Sequence, residues 1–146
     1  MLIGIAPCIS PELLVALHRM GHGDEIVLAD AFFPGDSFNS RVVRADGIGI
    51  PELLDGVLSL INLDKYVEAP VMMMQPTPGD RIDTALEASY RAAIDLHWPE
   101  TPAIARIERF AFYERAKKAF AVVMTGETTA YGNIILKKGV IPVARR

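Results

Sequence analysis

The stretch SPELLVALHRMGHGDEIVLAD, residues 10–30, predicts a helix, a short loop and a strand in immediate succession. Ser10 is a suitable N-cap for the helix, and Gly21 is typical of the residue that ends one. Residues 25–29 form a short apolar run rich in β-forming side chains, and Asp30 follows it. A helix that returns directly into a strand is typical of α/β domains, in which helices cover the faces of a sheet.

The same alternation of helix and strand continues along the chain. Further helices are predicted at residues 51–61, 83–97 and 108–118, and further strands at residues 41–44, 70–74, 104–107, 119–124 and 134–136. Residues 31–40 are rich in residues that favour turns and predict a loop. No linker, internal repeat or block of like charge divides the sequence, so we expect one domain over residues 1–146.

The composition excludes several classes of protein. A chain of 146 residues that is 51% hydrophobic can form a core, which excludes an intrinsically disordered protein, and its single cysteine excludes a scaffold of intrachain disulfides. A formal net charge of −3 disfavours nucleic-acid binding, and no apolar run approaches the roughly 20 residues that span a membrane. We therefore expect a cytoplasmic protein. The mean hydropathy of +0.25 is high for a monomer and predicts that subunit contacts cover part of the surface.

Two polar residues of the opening stretch, His22 and Asp30, are candidates for chemistry. Glycines flank His22 on both sides, so little bulk shields it, and loops between elements often carry function. An ordinary loop histidine remains the alternative, just as Asp30 is either a turn-former or a site residue. His18 lies four residues before His22, but Gly21 is predicted to end the helix between them, so no metal site is expected.

Two later segments combine aromatic and polar side chains. Residues 109–115, RFAFYER, predict an amphipathic helix with a solvated basic face, although a sugar or anion site uses the same groups. Tyr131, Gly132 and Asn133 suit a hairpin turn. They equally suit a binding loop, because a phenol, a bare backbone and a carboxamide can all meet sugar hydroxyls.

Taken in order along the chain, these segments resemble the L-fucose mutarotase / D-ribose pyranase family. The matching segments are ISPELL at residues 9–14, MGHGDE at 20–25, AD at 29–30, RADG at 44–47, RFAFYER at 109–115, TGE at 125–127 and YGN at 131–133. The resemblance spans roughly residues 5–141, and the block at 109–115 is similar to the fucose branch. The ribose branch usually has a histidine at the position of Arg109.

The resemblance implies an enzyme that interconverts the anomers of a reducing monosaccharide, most closely L-fucose, without a cofactor or a metal. The family's proton-donor histidine matches His22, its substrate-binding aspartate matches Asp30, its binding arginine matches Arg109, and its binding triplet matches Tyr131, Gly132 and Asn133. We also expect Tyr131 to relay the second proton of the reaction. Tyr113 is a further candidate for the same site.

The resemblance also implies a fold and an assembly. The fold is a three-layer α/β/α sandwich with a mixed central sheet. The assembly is a homo-oligomer, often a decameric ring of stacked pentamers, with sites completed across subunit boundaries. One position departs from the family, because Phe32 stands where a polar residue such as His or Asn is common, and this bears on which sugar fits.

Three alternatives to L-fucose mutarotation remain open at this point. The same groups would suit a D-ribose pyranase, which converts the pyranose to the furanose. A non-catalytic monosaccharide-binding protein would bind sugar without speeding the exchange of its anomers, and a structural ring-forming protein would bind no ligand. In each case we expect no nucleic-acid partner and no membrane partner.

Overall fold

Successive residues of the central strands point to opposite faces of one sheet, and helices cover both faces. The computed structural model describes residues 1–142 and 144. The helices in this part of the chain are α1 (Pro11–Arg19), α2 (Gly35–Phe38), α3 (Ile50–Leu58), α4 (Thr84–His97) and α5 (Arg109–Lys118). The strands are β1 (Glu25–Ala29), β2 (Val42–Ala45), β3 (Val71–Met74), β4 (Ala105–Ile107), β5 (Ala121–Thr125) and β6 (Ile134–Lys137).

The strands of the described residues form a mixed sheet in the order β2-β5-β1-β6-β3-β4. β1, β5 and β2 pair in parallel, as do β3 and β4, whereas β6 runs antiparallel to its neighbours β1 and β3. Five strands therefore run in one direction, and the place where they finish is called here the carboxyl end of the sheet. The opposite place is called the amino end. The mixed sheet that the resemblance implies is confirmed.

Each face of the sheet has its own hydrophobic core. Ile26 and Leu28 of β1 belong to the core that α1, α3 and α4 cover. Val27 and Ala29 point the other way, into the core beneath α2 and α5, where Phe112 is completely buried. This alternation follows from the two-residue period of a strand, and it confirms the three-layer α/β/α sandwich.

Side-chain caps fix where three of the helices begin, and the cap that the sequence predicts at Ser10 is confirmed. The Ser10 hydroxyl accepts a hydrogen bond of 3.1 Å from the Leu13 N–H at the start of α1. Asp83 and Glu108 cap α4 and α5 with their carboxylates. Because α5 begins directly after β4, the cap at Glu108 also places Arg109 at the carboxyl end of the sheet.

The loop predicted at residues 31–40 is wrong in one detail, because it contains the four-residue helix α2. Pro34 and Gly35 are typical turn residues, so the local sequence carries no helical signal there. Packing explains the short helix, since a Cβ atom on Gly35 would lie 2.6 Å from the sulfur of Met124 in β5. Glycine thus lets this turn approach the sheet closely.

Candidate active site

An open pocket of about 360 Å³ lies at the carboxyl end of the sheet. Its polar lining includes Asp30 directly after β1, Arg109 at the start of α5, and Tyr131 and Asn133 shortly before β6. Ligands of open α/β sheets bind outside the carboxyl ends of the strands, and a pocket of this size suits a small molecule. The topology therefore brings four of the predicted site residues together.

A hydrogen bond between the Asn133 side chain and the Asp30 backbone holds these two residues together. The Asn133 carboxamide oxygen accepts a hydrogen bond of 2.7 Å from the Asp30 N–H, and both residues are buried. This bond engages the oxygen, and the NH₂ group, which also interacts with the Asp30 carboxyl, has a second hydrogen that it can donate to a ligand. Burial raises the pKa of the Asp30 carboxyl, while hydrogen bonds from the Phe32 N–H and the Asn133 side chain act in the opposite direction.

We expect Asp30→Asn to increase the free energy of unfolding at neutral pH. Because the pKa of Asp30 is raised in the folded chain, the native state holds this proton more tightly than the unfolded state does. The resulting stabilisation is complete in acid, below the ordinary pKa of the carboxyl, and it is lost as the pH rises through the raised pKa. Urea unfolding of both proteins at one protein concentration, in acid and at neutral pH, measures the difference. An equal gain at both pH values would show that the buried charge is not the cause.

Tyr131 is the one non-glycine residue in the described part of the chain with a left-handed backbone, at φ 60°. Such a conformation costs about 1–3 kcal/mol and persists only where the surrounding structure enforces it, often at functional sites. The next residue supplies a restraint, because the Gly132 carbonyl accepts a hydrogen bond of 2.7 Å from the buried Tyr90 phenol. A Cβ atom on Gly132 would lie 3.0 Å from the Thr129 carbonyl oxygen, so close packing requires glycine here.

The first two turns of α5 bring a guanidinium and a second phenol to the pocket. Arg109 is exposed, and its guanidinium carbon lies 4.8 Å from the centre of the Phe110 ring. Tyr113 follows one turn later, lines the same pocket, and packs against Phe33 and Phe38 at ring distances of 5.9 and 4.9 Å. The positive end of α5 and the guanidinium together favour a ligand rich in oxygen atoms.

One side of the pocket is apolar. Phe33 and Met74 are buried and supply this wall, and Phe32 extends beyond it with 75% of its surface exposed. An exposed aromatic ring of this size at the mouth of a pocket can cover the apolar face of a ligand or contact another chain. The structure thus places Phe32 at the mouth of the pocket, where its ring can contact a bound ligand.

His22 lies at the amino end of the sheet, far from this pocket within one chain. It sits in the loop between α1 and β1, and the five residues of β1, at about 3.3 Å each, place roughly 16 Å between the two ends of the strand. The loop is tight, because the Gly21 N–H donates to the Asp24 carboxylate at 2.7 Å and Gly23 has φ 85°. The His22 side chain remains 46% exposed.

A buried carboxylate supports the His22 ring. The Nε2 atom of His22 lies 3.2 Å from the Oδ1 atom of Asp64, and the Tyr66 ring lies beside the imidazole. Burial opposes ionisation of Asp64, yet hydrogen bonds from the Tyr66 N–H and the His22 ring hold the pKa of this carboxyl below its ordinary value. An ionised carboxylate only accepts hydrogen bonds, so Nε2 carries the hydrogen, and a neutral ring then has its lone pair on Nδ1.

A single chain therefore brings Asp30, Arg109, Tyr131 and Asn133 together and leaves His22 apart. Sequence reasoning missed two carboxylates, Asp64 beside His22 and Asp80, which lines the pocket and accepts a hydrogen bond from the Tyr131 phenol. Both lie in loops that are distant in sequence from their partners, at separations of 42 and 51 residues. Aspartates in such loops are commonly turn-formers, so no local signal marks them.

Two kinds of feature are absent from the described residues. Among them, no group of three or more His, Cys, Asp or Glu side chains is arranged to hold a metal ion. None of their helices has the length and apolar character that crossing a membrane requires.

Known proteins resemble this chain in both sequence and structure. The sequence pattern of the RbsD / FucU transport protein family matches residues 3–141. An L-fucose mutarotase of Actinobacillus pleuropneumoniae serotype 5b (strain L20) is 59% identical over 143 residues, which cover 98% of this chain and 99% of the relative. The crystal structure of the fucose mutarotase from Streptococcus pneumoniae in complex with L-fucose superimposes with a TM-score of 0.91 at 49% identity, covering 97% of this chain and 100% of that one.

A solved structure of lower identity contains D-ribose. Bacillus subtilis RbsD complexed with D-ribose superimposes with a TM-score of 0.73 at 23% identity, covering 97% of this chain and 100% of that one. An identity this low supports the shared fold and nothing more specific.

Proposed function

This chain belongs to the RbsD / FucU transport protein family, and on that premise we propose that it catalyses the interconversion of the α and β anomers of L-fucose. The convergence of a carboxylate, a guanidinium, a phenol and a carboxamide on one pocket carries this function, because these groups together satisfy the hydroxyls of a monosaccharide. The apolar wall of Phe33 and Met74 suits the methyl group that L-fucose carries and D-ribose lacks.

The chemistry needs proton transfers alone. The anomeric hydroxyl loses its proton, the ring oxygen receives one, the C1–O5 bond breaks, and rotation about C1–C2 precedes closure on the other face. No electrons leave the sugar, so groups on the protein suffice and no cofactor or metal is required. A histidine is the side chain best suited to give and take protons near neutral pH, and such a group contributes about 10²–10⁴-fold.

We assign His22 to the ring-oxygen proton and the pocket residues to the sugar hydroxyls. Asp30 accepts from hydroxyls, Arg109 donates to the developing charge on the anomeric oxygen, and the Asn133 NH₂ group donates to a further hydroxyl. Tyr131 exchanges the second proton. Gly132 lets the backbone approach the sugar, and Tyr113 completes the wall.

The assignment of His22 requires a second copy of the chain. Because His22 lies at the amino end of the sheet and the pocket at the carboxyl end, the amino end of one copy must face the carboxyl end of the next. A head-to-tail contact of this kind closes into a ring when its rotation permits. Exposed aromatic side chains stand at both ends, with Phe32 and Phe110 beside the pocket and Tyr66 beside His22. We propose a ring with shared sites, and a decamer of two stacked pentamers as the assembly.

The remaining features of the proposal follow from this activity. We propose a single mutarotase-like domain over residues 1–146, acting in the cytoplasm on a free monosaccharide. Neither nucleic acid nor a membrane takes part.

Exchange spectroscopy tests the activity directly. We expect the protein to accelerate transfer of magnetisation between the α and β anomeric protons of L-fucose in saturation-difference NMR, and to act far less on D-ribose. Faster exchange of D-ribose than of L-fucose would favour pyranase activity instead. Binding of L-fucose without faster exchange would identify a non-catalytic sugar-binding protein.

A further inference from the structure

We propose that Asp80 is a positioning residue that takes the Tyr131 proton, so that the two side chains form a relay for the anomeric proton of the sugar. The proposal rests on the function proposed above, because it supplies the second of the two proton transfers. Asp80 lies in the loop between β3 and α4 and lines the same pocket as Asp30 and Arg109.

The phenol of Tyr131 is hydrogen-bonded to both ends of one tight turn. The Tyr131 phenol donates its hydrogen to the Oδ2 atom of Asp80, and its oxygen accepts a hydrogen bond of 3.1 Å from the Thr77 N–H. The turn closes through a 2.9 Å hydrogen bond from the Asp80 N–H to the Thr77 carbonyl. Within it, Pro78 and Gly79, with φ 92° at the glycine, are the pair that a type II turn prefers.

This arrangement leaves one role for the phenol toward the sugar. A phenol has one hydrogen and two lone pairs. Asp80 takes the hydrogen and Thr77 occupies one lone pair, so the second lone pair is left to accept the anomeric hydroxyl of a bound sugar. The left-handed backbone of Tyr131 and the buried bond at Gly132 hold the side chain in this place at a cost in backbone strain.

A phenol in this position can accept a proton only if it gives its own away. As the anomeric O–H bond breaks, its proton binds the Tyr131 oxygen, and the original phenol proton moves to the Asp80 carboxylate. The electron pair of the O–H bond forms the C1 carbonyl, and the pair of the C1–O5 bond goes to the ring oxygen. That oxygen receives a proton from a protonated His22. Asp80 ends neutral, His22 ends neutral, and ring closure reverses each transfer, so the balance is kept without a co-reactant.

The chain offers a matched control for Asp80 in the same loop. Asp83 lies three residues further on, and its carboxylate caps α4 by accepting the Ala85 N–H at 2.9 Å. Asparagine caps helices about as well as aspartate, so Asp83→Asn is expected to leave the exchange rate within about twofold of the unaltered protein. Asp80→Asn keeps an oxygen that accepts the phenol hydrogen, but the amide cannot take the proton.

Exchange NMR at saturating L-fucose, with the Kd for L-fucose measured separately, tests the relay. We expect Asp80→Asn to lower the exchange rate by about 10–10²-fold with the Kd changed by less than about threefold, since the relay acts in the reaction and not in binding. The solvent deuterium isotope effect should fall, because one fewer proton moves. The double variant Asp80→Asn/Tyr131→Phe should be no slower than Tyr131→Phe alone.

Three results would overturn the relay while the proposed function stands. In the first, the unaltered protein is active and Asp80→Asn exchanges L-fucose at the same rate. In the second, Asp80→Asn binds L-fucose more weakly and keeps its exchange rate at saturation. In the third, the loss of rate in the double variant equals the product of the losses in the two single variants. If the unaltered protein itself fails to accelerate exchange, the proposed function falls, and the relay falls with it. Circular dichroism and gel filtration of each variant confirm that the fold and the assembly are retained.

Discussion

His22→Ala chains are expected to assemble and to bind L-fucose, yet to exchange its anomers at least about 100-fold more slowly than the unaltered protein. The imidazole is the group assigned to the ring oxygen, and the proposal gives the pocket residues to the sugar hydroxyls and to the anomeric proton. The side chain is 46% exposed in one chain, so its removal leaves no cavity in the core. Saturation-difference NMR gives the rate, and gel filtration gives the assembly.

His18→Ala is the matched control for this variant. His18 is exposed on α1, four residues before His22, and it has the same side chain without the support of Asp64. Its replacement should leave the exchange rate within about twofold, as is usual for surface positions away from a site. If His22→Ala exchanged L-fucose as fast as His18→Ala and the unaltered protein, the ring oxygen would receive its proton from another group. His22 would then have no part in the reaction.

The alternation of helix and strand is predictable because local rules decide it. The caps at Ser10, Asp83 and Glu108 and the apolar strand at residues 25–29 act within a few residues of themselves. The sequence does not predict the helix at residues 35–38, because that turn depends on packing against β5. Local pattern therefore determines the elements, and contacts between distant residues determine the exceptions.

The same distinction between local pattern and distant contacts applies to the site residues. Residues 131–133 meet Asp30 because β6 inserts antiparallel between β1 and β3, and no local pattern fixes that order. Asp64 and Asp80 escape prediction for the same reason. The separation of His22 from Asp30, by contrast, follows from the predicted strand itself, since residues that flank one strand lie at its opposite ends. The predicted strand thus separates the two residues, whereas a site shared between subunits is implied only by the family resemblance.

Mixed assemblies of two inactive variants are expected to regain activity, because in the proposed ring each site takes His22 from one copy and its sugar-binding groups from another. His22→Ala removes the group at the amino end of the sheet, and Tyr131→Phe removes one at the carboxyl end. In rings built at random from equal amounts of both chains, half of the pockets keep Tyr131 and half of their neighbours keep His22. About a quarter of the sites are then intact in a head-to-tail ring.

Co-expression of the two variants with different tags, followed by purification through both tags, yields such mixed rings for exchange NMR. The control pairs Tyr131→Phe with Arg109→Ala, which both change the carboxyl end and so restore no intact pocket in any arrangement. Recovery in the first mixture and none in the second places His22 and the pocket on different copies. If the site lay within one chain, every pocket in the first mixture would lack either His22 or Tyr131, and its exchange rate would stay as low as that of the control.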